Sequence, residues 1–198
     1  RIDHVEEYTH ALLDFLTILP SRLNGPYHAN GFSLGAAILA DALLTGQADS
    51  FDRIVLAAPL IRWNGYHSSK NTYKICRRFT ESVRRVPQRN SSDQEYLLFN
   101  RTQDYLHASS VSLCWVKALF DWNDKIEKLP PTDKEIFILQ GDRDRTVDWR
   151  YNLTLLTQKF PSSQLQIIPG ARHELFNEAP LYREPVLRAV RNYLQKGD

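Results

Sequence analysis

Ser33 stands between two glycines in Asn30-Gly31-Phe32-Ser33-Leu34-Gly35-Ala36, at the junction of a short strand-like run and an apolar, helix-like one. A serine held at a sharp strand-to-helix turn sits in a strained backbone conformation, and small residues two before and two after it let strand and helix pass closely. Gly31 and Gly35 occupy those positions. The same turn aims the backbone N–H of Leu34 at the point where a carbonyl oxygen would become negatively charged. The chemistry such a serine could do is attack on a carbonyl carbon, and that requires a base to take its proton and an acid to orient the base. The three-residue pattern alone recurs by chance in about one chain in twenty of this length, taking Gly near ~7%. Its partners must decide.

Two later stretches carry the partner types. Asp144 lies in Gly141-Asp142-Arg143-Asp144-Arg145-Thr146-Val147-Asp148, directly after an apolar run, and His173 lies in Pro169-Gly170-Ala171-Arg172-His173-Glu174-Leu175, after another. In an open parallel sheet, functional groups collect on loops beyond the carboxyl ends of the strands. Each of the three residues falls on such a loop, in the chain order Ser, Asp, His. Asp148 reads as the cap of the helix that follows it and Asp142 as a turn acceptor, which leaves Asp144 for the site. His4, His10, His28, His67 and His107 read as surface or packing histidines. His28 shares the serine strand, but five residues back places it ~16 Å away. Glu174 reads as solvated.

The elements that must position these residues follow from hydrophobic spacing. Residues 2–19 have helical periodicity with Asp3 and Glu6 near the start. Breakers fill 20–26, residues 27–32 form a short strand, and 34–44 form a helix apolar nearly all round, as in the middle of a protein. Residues 53–58 (Arg-Ile-Val-Leu-Ala-Ala) are a continuous apolar strand of the kind covered on both faces. Strands at 135–140 and 164–168 and helices at 149–160 and 185–195 complete an alternation that argues for a parallel α/β sheet.

Three segments together, Gly-Phe-Ser-Leu-Gly at 31–35, Leu-Gln-Gly-Asp-Arg-Asp-Arg-Thr-Val-Asp at 139–148 and Gly-Ala-Arg-His-Glu-Leu-Phe-Asn-Glu at 170–178, resemble the α/β-hydrolase superfamily, in its bacterial lysophospholipase and monoacylglycerol lipase branch. The resemblance implies Ser33 as nucleophile, Asp144 as the acid, His173 as general base and Leu34 as an oxyanion-hole donor. It implies the α/β-hydrolase fold, a mostly parallel sheet flanked by helices with an inserted helical cap, the core being residues 1–59 and 132–198 and the cap 60–131. Members of the family begin with further strands and a loop that supplies the other oxyanion donor. The expectation is therefore that N-terminal strands are missing from this chain, which opens on Arg1 and has no methionine.

No strand is read between residues 60 and 131, where aromatic residues crowd in. Most of them are expected to form a local core, while Trp63, Tyr66 and Trp115 are candidates to line an acyl-chain tunnel. From Arg62 to Arg89 eight basic residues face one acid in a chain of net charge +2. A solvated face is the default reading of that run. A surface formed by Arg77, Arg78, Arg84 and Arg85 that meets anionic lipid or a phosphate head group is the next, and nucleic-acid binding is the least supported, no fold signature accompanying the charge.

With 198 residues, 42% hydrophobic and 24% charged, the chain reads as one ordinary globular domain. It carries no metal-ligand spacing and no phosphate-binding glycine loop, so no cofactor and no metal are implied. Cys76 and Cys114 read as two free thiols. No apolar stretch reaches the ~20 residues of a membrane span, and the expected location is cytoplasmic or peripheral on the inner membrane face. The expected function is a serine esterase acting on a small lipid-like ester, lysophospholipid or monoacylglycerol, with possible peripheral contact with an anionic membrane surface and neither nucleic acid nor a protein partner implied. Transfer of the acyl group to a lipid alcohol would use the same site. The rival is a non-enzymatic protein of the same fold that binds a ligand or partner.

Overall fold

In a computed structural model that describes residues 2–19, 23–86 and 88–195, the alternation becomes α1 (Glu6–Ile18), β1 (Tyr27–Phe32), α2 (Leu34–Leu44), β2 (Phe51–Ala57), α3 (Tyr66–Cys76), β3 (Ser82–Arg84), α4 (Gln94–Thr102), β4 (Ser110–Ser112), α5 (Leu113–Ile126), β5 (Phe137–Gly141), α6 (Trp149–Lys159), β6 (Gln164–Ile168) and α7 (Pro180–Leu194). Residues 20–22, the first of the expected breakers, lie outside the described residues. The main sheet is wholly parallel in the order β1-β2-β5-β6.

The continuous apolar character of β2 and β5 has a direct cause, because each face of the sheet carries its own core. Ile54 and Leu56 of β2, with Ile138 of β5, pack among side chains of α2, α5 and α6. Their neighbours Val55, Ala57, Phe137 and Leu139 pack on the opposite face with Val186 and Tyr193 of α7. Side chains alternate across a strand, so where a strand is covered on both faces a polar residue needs a buried partner. The helix α2 holds one exception, Asp41, which is 1% exposed. It accepts hydrogen bonds from Thr9 Oγ1 of α1 at 2.8 Å and Trp122 Nε1 of α5 at 2.9 Å. Those donors satisfy the buried carboxylate and pin both helices to α2.

Two expectations are corrected. Residues 60–131 do contain strands: β3 and β4 pair antiparallel, Val83 opposite Val111. Each is three residues long, too short for a two-residue period to stand out. The last helix also begins five residues earlier than expected, at Pro180. A proline at the first helical position loses no bond, and Pro185 then lies inside α7, where it forgoes only the bond to the carbonyl of Leu181. Leu119, Trp122 and Ile126 of α5 belong to the same core cluster as the side chains of β2 and α2.

Candidate active site

The parallel order brings the ends of β1, β5 and β6 to one edge, and with them the loops carrying Ser33, Asp144 and His173. Ser33 follows β1 with φ 52° and ψ −112°, a strained conformation for a residue with a side chain. Its backbone is held on both sides, the N–H donating to Ala57 O at 2.9 Å and the carbonyl accepting from Leu60 N at 3.0 Å. Gly31 makes the turn possible: a Cβ there would lie 2.6 Å from Gly35 O and 2.7 Å from Ala36 N. The expectation that Gly35 is needed for the same reason is not met, because a Cβ on Gly35 would meet no atom within 4 Å. Leu34 opens α2, and a first-turn amide has no partner within its own helix.

The Ser33 hydroxyl lies 3.0 Å from His173 Nε2, and His173 Nδ1 lies 2.8 Å from Asp144 Oδ2. His173 and Asp144 are 4% and 6% exposed. The carboxylate is an acceptor, so Nδ1 carries the proton and Nε2 presents its lone pair to the hydroxyl. Asp144 is held by three further donors: Thr146 N at 2.8 Å, Val147 N at 3.2 Å and Gln140 Nε2 at 3.0 Å. The Phe32 ring flanks His173, with centroids 5.1 Å apart. A base fixed in this tautomer beside a serine on a strained turn can remove the hydroxyl proton as the oxygen attacks a carbonyl.

Several supporting residues went unread in the sequence. Gln140 is the one polar side chain of β5, and a polar residue in an apolar strand is the available signal, since burying it requires a partner. Gly141 lets β5 meet the histidine loop, a Cβ there falling 2.4 Å from Ala171 O. Glu178 is fully buried and accepts from Arg172 N at 2.6 Å and Ser92 N at 2.7 Å, tying the strap 88–92 to the histidine loop. Glu174, read as solvated, joins the same strap. Its carboxylate accepts from Asn90 Nδ2 at 2.9 Å and its N–H donates to Asn90 O at 2.9 Å. Asp148 caps α6 through Tyr151 N, and Asp142 accepts from Gly170 N at 2.7 Å. His28 sits 3.8 Å from Asp52, back along β1.

Beside these loops lies a cavity of about 1220 Å³ whose wall includes Trp63, Trp115, Arg84 and Arg85. Tyr66 is not part of that wall; it is 3% exposed and packs edge-on against Trp63 and Phe120. Arg77 and Arg78 also lie off it, whereas Arg89, Arg101 and His107 join it. Arg77 closes α3 and stacks over Tyr73. Among the described residues no helix is long and apolar enough to cross a membrane, and no three His, Cys, Asp or Glu residues group to hold a metal ion.

The family model described as Hydrolase_4 (serine aminopeptidase, S33, a family label and not a residue) matches residues 1–180. The chain is 29% identical over 96 residues to the probable lysophospholipase L2 of Haemophilus influenzae, a stretch covering 48% of this chain and 30% of that protein. In structure it is similar to the monoacylglycerol lipase of Paleococcus ferrophilus, at 20% identity and TM-score 0.77, over 96% of this chain and 75% of that one. It is similar too to a soluble variant of the monoglyceride lipase of Saccharomyces cerevisiae, solved with a substrate analogue, at 17% identity and TM-score 0.79, over 97% and 68% of the two chains. The fold is that of the α/β-hydrolases.

Proposed function

We propose that this chain, which belongs to the Hydrolase_4 family (serine aminopeptidase, S33), is a serine hydrolase cleaving carboxylic esters of lipid-like substrates, lysophospholipids or monoacylglycerols, through an acyl-serine intermediate. One observation carries the reading, the continuous hydrogen-bonded path from Ser33 Oγ through the His173 ring to Asp144. His173 Nε2 takes the hydroxyl proton as Ser33 Oγ bonds to the ester carbon, and the Leu34 N–H faces the oxyanion that forms. The proton then passes to the leaving alcohol as the ester C–O bond breaks. Water, activated by the same ring, attacks the acyl-serine, and the acid leaves with Ser33 restored. A lipid alcohol in place of that water would give acyl transfer. Asp144 stays ionised throughout and stabilises the imidazolium. Residues 60–131 act in this reading as the cap that supplies most of the cavity wall.

The named relatives support a lipid ester as substrate, as does the mixture of Trp63, Trp115 and apolar side chains beside the site. Aminopeptidase activity, which the family description also names, needs a group to receive a peptide's ammonium. No Asp or Glu lies in the cavity wall among the described residues, and arginines do. Labelling with a fluorophosphonate probe tests the mechanism: the wild type is expected to be labelled and Ser33→Ala not, and an unlabelled wild type would favour the rival ligand-binding protein. Comparing lysophosphatidylcholine, monoacylglycerol and a p-nitrophenyl ester as substrates then tests the lipid preference.

A further inference from the structure

Members of the basic run 62–89, and Arg101 beyond it, are sorted differently in space. Arg62 is ion-paired with Glu127, and Lys70 lies 3.3 Å from Asp124. Arg84, Arg85, Arg89 and Arg101 instead line the 1220 Å³ cavity, and none of the four has an ion-pair partner among the described residues. They arrive there from three separate segments: the β3 ribbon, the strap 88–92 and α4. A solvated face carries its like charges on a convex surface, where they diverge. Here the four arginines, although exposed, line one concavity whose wall contains no carboxylate among the described residues, and a cleft lined by one sign of charge focuses the field within it. The rest of the wall mixes uncharged polar side chains with an apolar part that includes Leu113, Trp63 and Trp115.

The cavity is also attached to the loops of the site. Arg172 Nη1 donates to Arg89 O at 3.2 Å and to Ser91 O at 3.0 Å, so the strap bearing Arg89 is fixed to the residue preceding His173. On the other side, Asn64 N donates to Thr146 O at 2.9 Å, two residues beyond Asp144. A molecule in the cavity therefore meets Thr146, two residues beyond Asp144, on one side and the strap that Arg172 holds on the other.

We infer that the four arginines form a head-group subsite, and that the substrate is a single-chain ester bearing a net-anionic phosphate, its chain on the tryptophan side of the cavity. This inference rests on the hydrolase reading and narrows it to a substrate class. Guanidinium groups bind phosphate oxygens through paired, charge-assisted donors. A neutral glycerol head gains nothing from them, and a choline head brings a cation to a wall already positive.

The test uses the full chain with soluble, short-chain substrates below their micellar concentration. Wild type and Arg84→Gln, Arg85→Gln, Arg89→Gln and Arg101→Gln variants, single and combined, are compared on lysophosphatidylglycerol, lysophosphatidylcholine and monoacylglycerol. The expected result is a wild-type preference for lysophosphatidylglycerol and a loss in its kcat/KM of about tenfold per contacting arginine, with monoacylglycerol hydrolysis unchanged. Equal losses on all three substrates would overturn the subsite, as would no loss on any. If the variants lose activity only on anionic vesicles, whichever ester is presented, the arginines recruit membrane and the inference fails. Calorimetry with dodecyl phosphate, 1-O-dodecylglycerol and inorganic phosphate separates the subsite from the chemistry. Tight arginine-dependent binding of dodecyl phosphate alone supports the subsite even where no ester is hydrolysed, an outcome that would instead refute the hydrolase reading. Equally tight binding of inorganic phosphate would make this a free-phosphate site and overturn the lipid assignment.

Discussion

Replacing Gly31 with alanine tests whether contact between backbones holds the Ser33 turn. The added Cβ would lie 2.6 Å from Gly35 O, 2.7 Å from Gly35 C and 2.7 Å from Ala36 N. Favourable separations for such atoms are ~3.5 Å or more, so relief requires a shift of roughly 1 Å. Every atom met is backbone, and no side chain can rotate away. The start of α2 must therefore move relative to β1, with Ser33 at the hinge. Overpacking of this kind costs about 1–3 kcal/mol, and a displacement of ~1 Å at a nucleophile costs about 100-fold in rate. Gly35→Ala is the matched control, because its Cβ meets nothing and alanine is favoured over glycine in a helix by up to ~1 kcal/mol. Urea denaturation of the 198-residue chain reads stability, and the rate of fluorophosphonate labelling reads Ser33. Gly31→Ala is expected to lose in both, and Gly35→Ala to keep its stability or gain. A Gly31→Ala protein with wild-type stability and labelling, or a Gly35→Ala protein equally impaired, would refute the steric argument.

Gln140→Leu removes the side-chain donor to Asp144 Oδ2. Labelling and turnover should fall by about tenfold, with kcat affected more than KM, since a hydrogen bond to a charged group contributes ~1.5–3 kcal/mol; a loss in KM alone would argue against a role in positioning Asp144. Glu178→Ala should destabilise by about 2–4 kcal/mol in urea, because the amides of Arg172 and Ser92 lose a buried acceptor. Burial, followed by the charge of Glu174, pushes the Tyr96 phenol up to about 12. The folded state thus keeps a proton that the unfolded chain releases near pH 10, so this contribution to stability is intact below pH 10 and is lost as pH rises toward 12. Ultraviolet titration should show a late-ionising tyrosine whose midpoint drops in Glu174→Gln, and an unchanged midpoint would remove Glu174 as a cause.

Where bonding is local, the amino-acid sequence is explicit. β1, α2 and β6 could be bounded to the residue from it, because the breakers before β1, the serine turn between β1 and α2 and Pro169-Gly170 after β6 are local signals that need no distant partner. The same holds for Ser33, Asp144 and His173: each lies in a short loop motif after a strand, and their order along the chain tied them together. The sequence could not say that 140 positions of separation close to 3.0 Å between Ser33 Oγ and His173 Nε2. That distance depends on the lateral order β1-β2-β5-β6, which many weak packing contacts decide together. Tyr66 and Trp63 looked alike in the chain and pack against each other, yet only Trp63 reaches the cavity, because it is bridged to Val147 before α3 begins whereas Tyr66, at the start of α3, is sealed behind it. Gly31 and Gly35 look symmetric about Ser33, but only the first lies against another backbone. The basic run was a count of charges until the fold separated the paired Arg62 and Lys70 from Arg84, Arg85 and Arg89, which line one cavity together with Arg101 of α4. Local spacing sets which groups are available, and only long-range packing sets which of them meet.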